Sequence, residues 1–199
     1  MNIVIIKYNA GNIESVSNAL SRLGIEAEIT GNHEKIKAAD KVIFPGVGEA
    51  STTMAYLKKA GLDQLIPSLK QPVLGICLGL QLMCSHSEEG DTPCLGIFEE
   101  KVKRFIPEPG MEFVTKVPHM GWNTISKLNS DLFDESLDNQ FVYFVHSFYA
   151  TVGEHTAAEG NYINPFSAAL HKDNFYATQF HPEKSGPIGA KILENFLKI

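Results

Sequence analysis

The stretch PVLGICLGLQLMC, residues 72–84, decides how this chain is read. A short apolar run, PVLGIC (72–77), gives way without a spacer to helix-forming residues from Leu78 onward. A strand that passes straight into a helix needs a sharp turn, and this turn carries a cysteine with Gly75 and Gly79 on either side. Glycines there let the two backbones approach closely, since no Cβ stands between them. The pattern G-x-C-x-G has the form of a nucleophile elbow with cysteine in the place of serine. The helix start that follows turns unpaired backbone N–H groups toward the sulfur, which favours the nucleophilic thiolate. The N–H of Leu78, next after the cysteine, is placed to stabilise an oxyanion. A second donor is expected from a loop after a neighbouring strand, and PGVG (45–48) has the glycines for it. The pattern is short and recurs by chance. Alone, it leaves Cys77 open between a nucleophile and a small buried hydrophobe, which is how Cys84 and Cys94 are read.

A base decides the matter, and QFHPEKS (179–185) supplies one. Proline steers the preceding His181 away from helical backbone and fixes its own φ, so an extended H-P-E segment is expected. Residues i and i+2 of an extended chain project to one side, which lets His181 and Glu183 face one site. A carboxylate beside an imidazole orients the ring and stabilises the imidazolium that forms when a thiol gives up its proton. Among seven histidines, only this one has a carboxylate held at such an offset by proline.

Outward from the elbow, the first half of the chain alternates between strand and helix patterns. NIVIIKY (2–8), IEAEIT (25–30) and KVIF (41–44) read as strands. Asn12 is a candidate cap for a helix with Ile13, Val16, Leu20 and Leu23 on one face, ending at Gly24. Further helices are expected near 49–59, over 62–69, and over LGLQLMCSH (78–86). The second half is different. FEEKVKRF, MEFVTKV, QFVYFVHSFYATV, EGNYI, FSAALHK and NFYATQF are short, rich in β-branched and aromatic residues, and read as antiparallel or mixed strands. A last helix has Pro187 in its first turn and Ile188, Ile192, Leu193 and Phe196 as its apolar stripe. The expected fold is therefore α/β: a mostly parallel central sheet flanked by helices, with an added antiparallel or mixed β portion.

Bulk properties exclude several classes of function. The 199 residues suit one large domain, with 44% hydrophobic and 20% charged residues as in ordinary globular proteins. A net charge of −6 argues against nucleic acid or an anionic membrane as the main partner. No apolar run approaches the roughly 20 residues that span a bilayer, and the start of the chain has no signal-peptide pattern. Three cysteines form no spaced framework, which suits a reducing cytoplasm. No CxxC or HxxxH pair appears, so no metal site and no cofactor is expected.

The segments PGVGEA (45–50), GICLGLQLM (75–83) and QFHPEKS (179–185) closely resemble the signatures of class I, triad-type glutamine amidotransferases. They spread over the chain, so residues 1–199 are expected to form one amidotransferase domain. Within the family, VPHMGWN (117–123), FVHSFY (144–149), QFHPEKSG and the opening YNAGN (8–12) resemble the branch that supplies ammonia for histidine biosynthesis.

The resemblance implies that Cys77 attacks the side-chain amide of L-glutamine. His181 would protonate the departing ammonia and then activate water against the thioester, with Glu183 orienting it. Val47 and Gly48 of the PGVG loop, with Leu78, would form the oxyanion site. Gln81, one turn along the new helix, would contact glutamine, and Ser147 and Phe148 would bind it through their backbone.

Ammonia is volatile, reactive as the free base and mostly protonated near neutral pH, so a glutaminase must deliver it to an acceptor site directly. No second catalytic cluster and no room for a barrel of about 250 residues exist in this chain. The acceptor chemistry is expected on another polypeptide, and the resemblance implies a (β/α)8 cyclase subunit in a heterodimer. Trp122, the only tryptophan, lies beside Met120, and both types are enriched in interface cores. By resemblance Pro118, Met120 and Trp122 are expected at that interface, with Asn12 a further candidate. Two rivals remain at this point: a paralogous glutaminase feeding another acceptor such as a surface-sugar enzyme, and a triad-bearing fold turned interaction module.

Overall fold

The structure, a computed structural model, describes residues 1–8, 12–111 and 113–199. Its first half winds β1 (Ile3–Ile6), α1 (Ile13–Arg22), β2 (Ala27–Thr30), α2 (His33–Lys37), β3 (Lys41–Gly46), α3 (Ala50–Lys59), α4 (Leu62–Ser68), β4 (Val73–Cys77) and α5 (Leu78–Met83). Short strands β5 (His86–Ser87) and β6 (Thr92–Pro93) follow, then β7 (Lys101–Arg104), β8 (His119–Thr124), β9 (Phe141–His146) and β10 (Phe148–Ala150). The chain ends with β11 (Thr156–Asn161), β12 (Pro165–Lys172), β13 (Phe175–Thr178) and α6 (Gly186–Lys198).

Among the described residues the largest sheet has seven strands in the order β11-β12-β13-β4-β3-β1-β2. The five from β13 to β2 run parallel, and β12 and β11 extend the sheet antiparallel. The fold is thus the α/β arrangement expected, with its added β portion. Strand periodicity explains why the inner strands β1 (IVII) and β4 (VLGIC) are apolar throughout. In β1, Val4 and Ile6 enter one core while Ile3 and Ile5 enter the other, so both faces must be covered. Met54 and Leu57 of α3, Leu62, Leu65 and Ile66 of α4, and Leu80 of α5 cover the first face. Ile13, Val16 and Leu20 of α1, with Leu193 and Phe196 of α6, cover the second. A third core under β9 and β12 is built from Phe105, Phe144, Phe166 and Phe180.

Register places the site. Gly46 pairs with Cys77 across β3 and β4, and Thr178 pairs with Ile76 across β13 and β4. The carboxyl ends of three adjacent parallel strands therefore finish at one level. The segments that leave them begin with Val47, Leu78 and Gln179. Ligands of open α/β sheets bind at such ends.

Several local expectations needed correction. Pro45 and Gly46, read as loop, continue β3 and pair with Ile76 and Cys77. The elbow helix stops at Met83, because Cys84 takes an extended ψ of 176 and the chain passes into β5. MEFVTKV contains no strand among the described residues. Val114 and Thr115 donate backbone N–H groups to Met111 O in a tight turn, leaving Phe113 and Val114 exposed. VPHMGWN, by contrast, supplies a strand, β8, paired antiparallel with β9.

Candidate active site

The elbow explains its own glycines. Cys77 has φ 55 and ψ −109, a left-handed conformation that costs a non-glycine residue about 1–3 kcal/mol and that the surrounding packing must hold. A Cβ on Gly79 would overlap the Phe44 carbonyl oxygen, and one on Gly75 would come within 2.9 Å of the Met83 sulfur. Gly46, across the ladder, would press on Gly79 N at 2.7 Å. Strand β4, helix α5 and strand β3 therefore meet at contact distances that only hydrogen side chains allow. Tyr8 also fastens the end of β3 by donating its hydroxyl to Pro45 O. Burial first, and the nearby Cys77 charge second, push the Tyr8 phenol far above its usual range, so it stays neutral.

His181 leaves β13 on extended backbone, with φ −96 and ψ 97, but Pro182–Lys184 form a 3-10 turn rather than the extended segment expected. Proline's fixed φ is compatible with the first position of a helical turn, so the same residue that bars helix before it begins one after it. The turn brings Glu183 Oε1 to 2.7 Å from His181 Nδ1, with both side chains fully buried. Against a carboxylate the Nδ1 position carries the proton, which leaves Nε2 for chemistry. That Nε2 has no hydrogen-bond partner among the described residues. Burial opposes charge on the ring, yet attraction to the Cys77 sulfur and the Glu183 carboxylate outweighs it and raises the imidazolium pKa to about 10. The segment is pinned in place: His181 N donates to Tyr143 O at 2.9 Å, and Ser185 Oγ donates to His181 O at 2.7 Å.

A cavity of about 340 Å³ opens at these strand ends, lined by Cys77 and His181. Val47, Gly48, Leu78, Gln81, Ser147 and Phe148 all border it, so the structure brings the expected oxyanion and substrate residues to one place. Gly48 has φ +111, a conformation that favours glycine in the loop after β3. Gln81 donates from Nε2 to Phe148 O at 2.9 Å, which joins the elbow helix to the corner between β9 and β10.

The expected interface residues separate. Met120 and Trp122 stand on β8 with 64% and 55% of their surface exposed. Pro118 borders the cavity, linking that strand to the site. Asn12 is instead buried, and its side chain makes no cap. Its Nδ2 donates to Glu183 Oε1 at 3.2 Å, so it holds the carboxylate that holds the histidine. Of the segment YNAGN, residues 9–11 lie outside the described residues.

Two further groups lie inside QFHPEKS and FVHSFY, but the sequence alone assigns them no role. Gln179 Nε2 lies 3.7 Å from the Cys77 sulfur. His146, in the cavity wall, meets His119 with Nε2 to Nδ1 at 3.0 Å. Both contacts join residues far apart in sequence, and no local pattern announces them.

Comparison with known proteins agrees with this architecture. The family model for glutamine amidotransferase class-I matches residues 4–199. Imidazole glycerol phosphate synthase subunit HisH of Bacteroides fragilis (strain YCH46) is 66% identical over 199 residues, covering 100% of both chains. The HisH subunit of Haemophilus influenzae (strain Rd) is 47% identical over 199 residues, covering 100% of this chain and 98% of its own. The crystal structure of a putative GMP synthase protein from Thermoplasma acidophilum shares the fold with a TM-score of 0.75 at 19% identity, covering 100% of this chain and 93% of that one. A family match that takes in β1, the elbow, the histidine segment and the last helix leaves little of the chain outside it, and the chain belongs to the glutamine amidotransferase class-I family.

Proposed function

We propose that this chain is the glutaminase subunit of an imidazole glycerol phosphate synthase, acting as one domain over residues 1–199. The observation that carries the proposal is its identity of 66%, over the full length of both chains, to a relative named as a subunit of that enzyme.

Glutamine enters the cleft with its carboxamide carbon at the Cys77 sulfur. With its proton already held on His181 Nε2, the Cys77 sulfur adds to the carbon. The oxyanion that develops is met by backbone N–H groups at Leu78 and in the Val47–Gly48 loop. His181 returns the proton to the amide nitrogen, the C–N bond breaks, and ammonia leaves a glutamyl thioester behind. Thioester formation removes the sulfur's charge and with it one of the two influences that raise the ring's proton affinity. The now neutral imidazole is thus set to take a proton from water, whose oxygen adds to the thioester carbon; the C–S bond then breaks, glutamate leaves, and the sulfur is freed beside the protonated ring. Glu183 stabilises the imidazolium at both steps, and Asn12 steadies Glu183. Both protons of the Gln81 amide are committed to Phe148 O and Gln179 Oε1, which leaves Gln81 Oε1 to accept from an N–H of the substrate.

The ammonia passes to a (β/α)8 cyclase subunit, which converts a phosphoribosylated aminoimidazole carboxamide compound into imidazole glycerol phosphate and aminoimidazole carboxamide ribotide. The cyclase docks on β8, where exposed Met120 and Trp122 sit one strand from the cleft. The heterodimer works in the cytoplasm. Among the described residues no helix is long and apolar enough to cross a membrane.

The test is ammonia and glutamate release measured with and without the cyclase and its acceptor ligand. Weak turnover alone and strong stimulation by both is expected. A partner that binds but makes no imidazole glycerol phosphate would move the chain to another acceptor pathway.

A further inference from the structure

Gln179 is wholly buried, two residues before His181, and has entered the chemistry so far only as an acceptor for Gln81. Its Oε1 accepts from Gln81 Nε2 at 2.9 Å, and its Nε2 lies 3.7 Å from the Cys77 sulfur. Gln81 Nε2 also donates to Phe148 O at 2.9 Å. That carbonyl takes a second hydrogen bond from His146 Nδ1 at 2.8 Å.

The direction of every link follows from that one backbone group. A carbonyl can only accept, so Gln81 must turn its NH2 toward Phe148. The same NH2 faces Gln179, which must answer with its oxygen. The Gln179 NH2 is then left pointing at the sulfur. A flipped Gln179 amide would set two NH2 groups against each other and an oxygen against Cys77. The chain of amides therefore ends on the nucleophile with a donor, and a donor beside sulfur favours its negative form.

We propose that Gln179 is a positioning residue of this site, whose N–H holds the Cys77 sulfur as thiolate while its carbonyl oxygen fixes the Gln81 amide. One side chain thereby sets both the nucleophile and a substrate contact. The effect on turnover rests on the glutaminase reading, but the effect on the sulfur does not.

The experiment uses the full chain with its cyclase partner, carrying Gln179→Met or the nearly isosteric Gln179→Glu. The rate of Cys77 alkylation by iodoacetamide is followed by peptide mass spectrometry, which separates it from Cys84 and Cys94. For Gln179→Met the rate at pH 7 is expected to fall about fivefold, while the rate at pH 10, where thiolate forms unaided, stays unchanged. Gln179→Glu, which turns an oxygen to the sulfur, should lose more. In the same proteins kcat for glutamine falls and KM rises, because Gln81 is released as well. Equal alkylation of variant and wild type at pH 7, or equal slowing at both pH values, would overturn the proposal. If neither variant folds, the wild-type chain answers. Its Gln179 side-chain amide NMR signal must move on S-alkylation of Cys77, and an unmoved signal would refute the contact. Absence of glutamine hydrolysis in every protein, with the alkylation pattern intact, would count against the glutaminase reading alone.

Discussion

The Nδ1 of His181 stands 2.7 Å from Oε1 of Glu183, and neither side chain touches solvent. Glu183→Gln preserves the shape of that contact and removes its charge, so the imidazolium loses its stabilising partner and the ring its preferred tautomer. With the chain still folded, kcat for glutamine hydrolysis is expected to fall by roughly 10²–10⁴, with KM changed little. Steady-state kinetics in the presence of the cyclase checks it. Unchanged kcat would remove Glu183 from the mechanism.

The same pair shapes stability against pH. His181 has an ordinary value of 6.5 and is raised to about 10 in the fold, so the folded state binds the proton more tightly than the unfolded chain. The resulting stabilisation is complete below about pH 6.5 and is lost as pH climbs toward about 10. The difference in melting temperature between wild type and His181→Gln should therefore shift against the wild type across that interval. Thermal melts at closely spaced pH values measure it, and a constant difference would contradict the raised value.

His119 and His146 predict the opposite edge. Burial lowers His119 to about 4 and lowers His146 to about 3, in the second case against the opposing bond to Phe148 O. Both are neutral in the fold, and protonating His146 Nε2 would set a donor against the His119 Nδ1–H. Stability is thus whole above 6.5, the ordinary value of both rings, and declines as pH falls toward 3. His119 is stacked on Tyr162 with ring centres 4.1 Å apart, so His119→Phe is accommodated among aromatics. This variant should lose less melting temperature than wild type between pH 6.5 and 4, the interval over which His119 would titrate. Parallel acid profiles would refute the prediction.

Packing at the elbow gives a fourth test. The Cβ of Gly79→Ala would overlap the Phe44 carbonyl, and neither group is a flexible side-chain end. The substitution must push β3 and α5 apart, at a cost of about 1–3 kcal/mol or more. Denaturant unfolding reads that loss, and activity falls with it, since Leu78 N and the Val47–Gly48 loop move on the same two elements. Wild-type stability would mean that the bend is looser than described.

What could be read in the sequence was whatever local chemistry dictates. Gly75, Cys77 and Gly79 announce a tight strand-to-helix bend, and the runs IVII and VLGIC announce strands buried on both faces. Pro182 points to Glu183 beside His181, though through extended geometry where the chain in fact makes a 3-10 turn. Elsewhere tertiary structure overrides pattern. In β8 the alternation that marks a strand is blurred by Gly121 and by a buried polar His119. MEFVTKV has strand composition but forms no strand among the described residues, and Val114 and Thr115 turn back on Met111 O instead. Asn12 has the look of a cap, yet its amide serves a carboxylate 171 residues away. Gln179 meets Cys77 only because β13 lies beside β4, a pairing 102 residues apart in sequence.

Catalysis turns on a covalent bond at one sulfur. The direct measurement is acid quench of the chain with its cyclase partner, acceptor ligand and labelled glutamine, followed by mass spectrometry of the peptide containing Cys77. A glutamyl group attached to Cys77 in the wild type, and absent from a Cys77→Ala protein that releases no ammonia, is the result expected. Ammonia release that continues in Cys77→Ala would contradict the account at its centre.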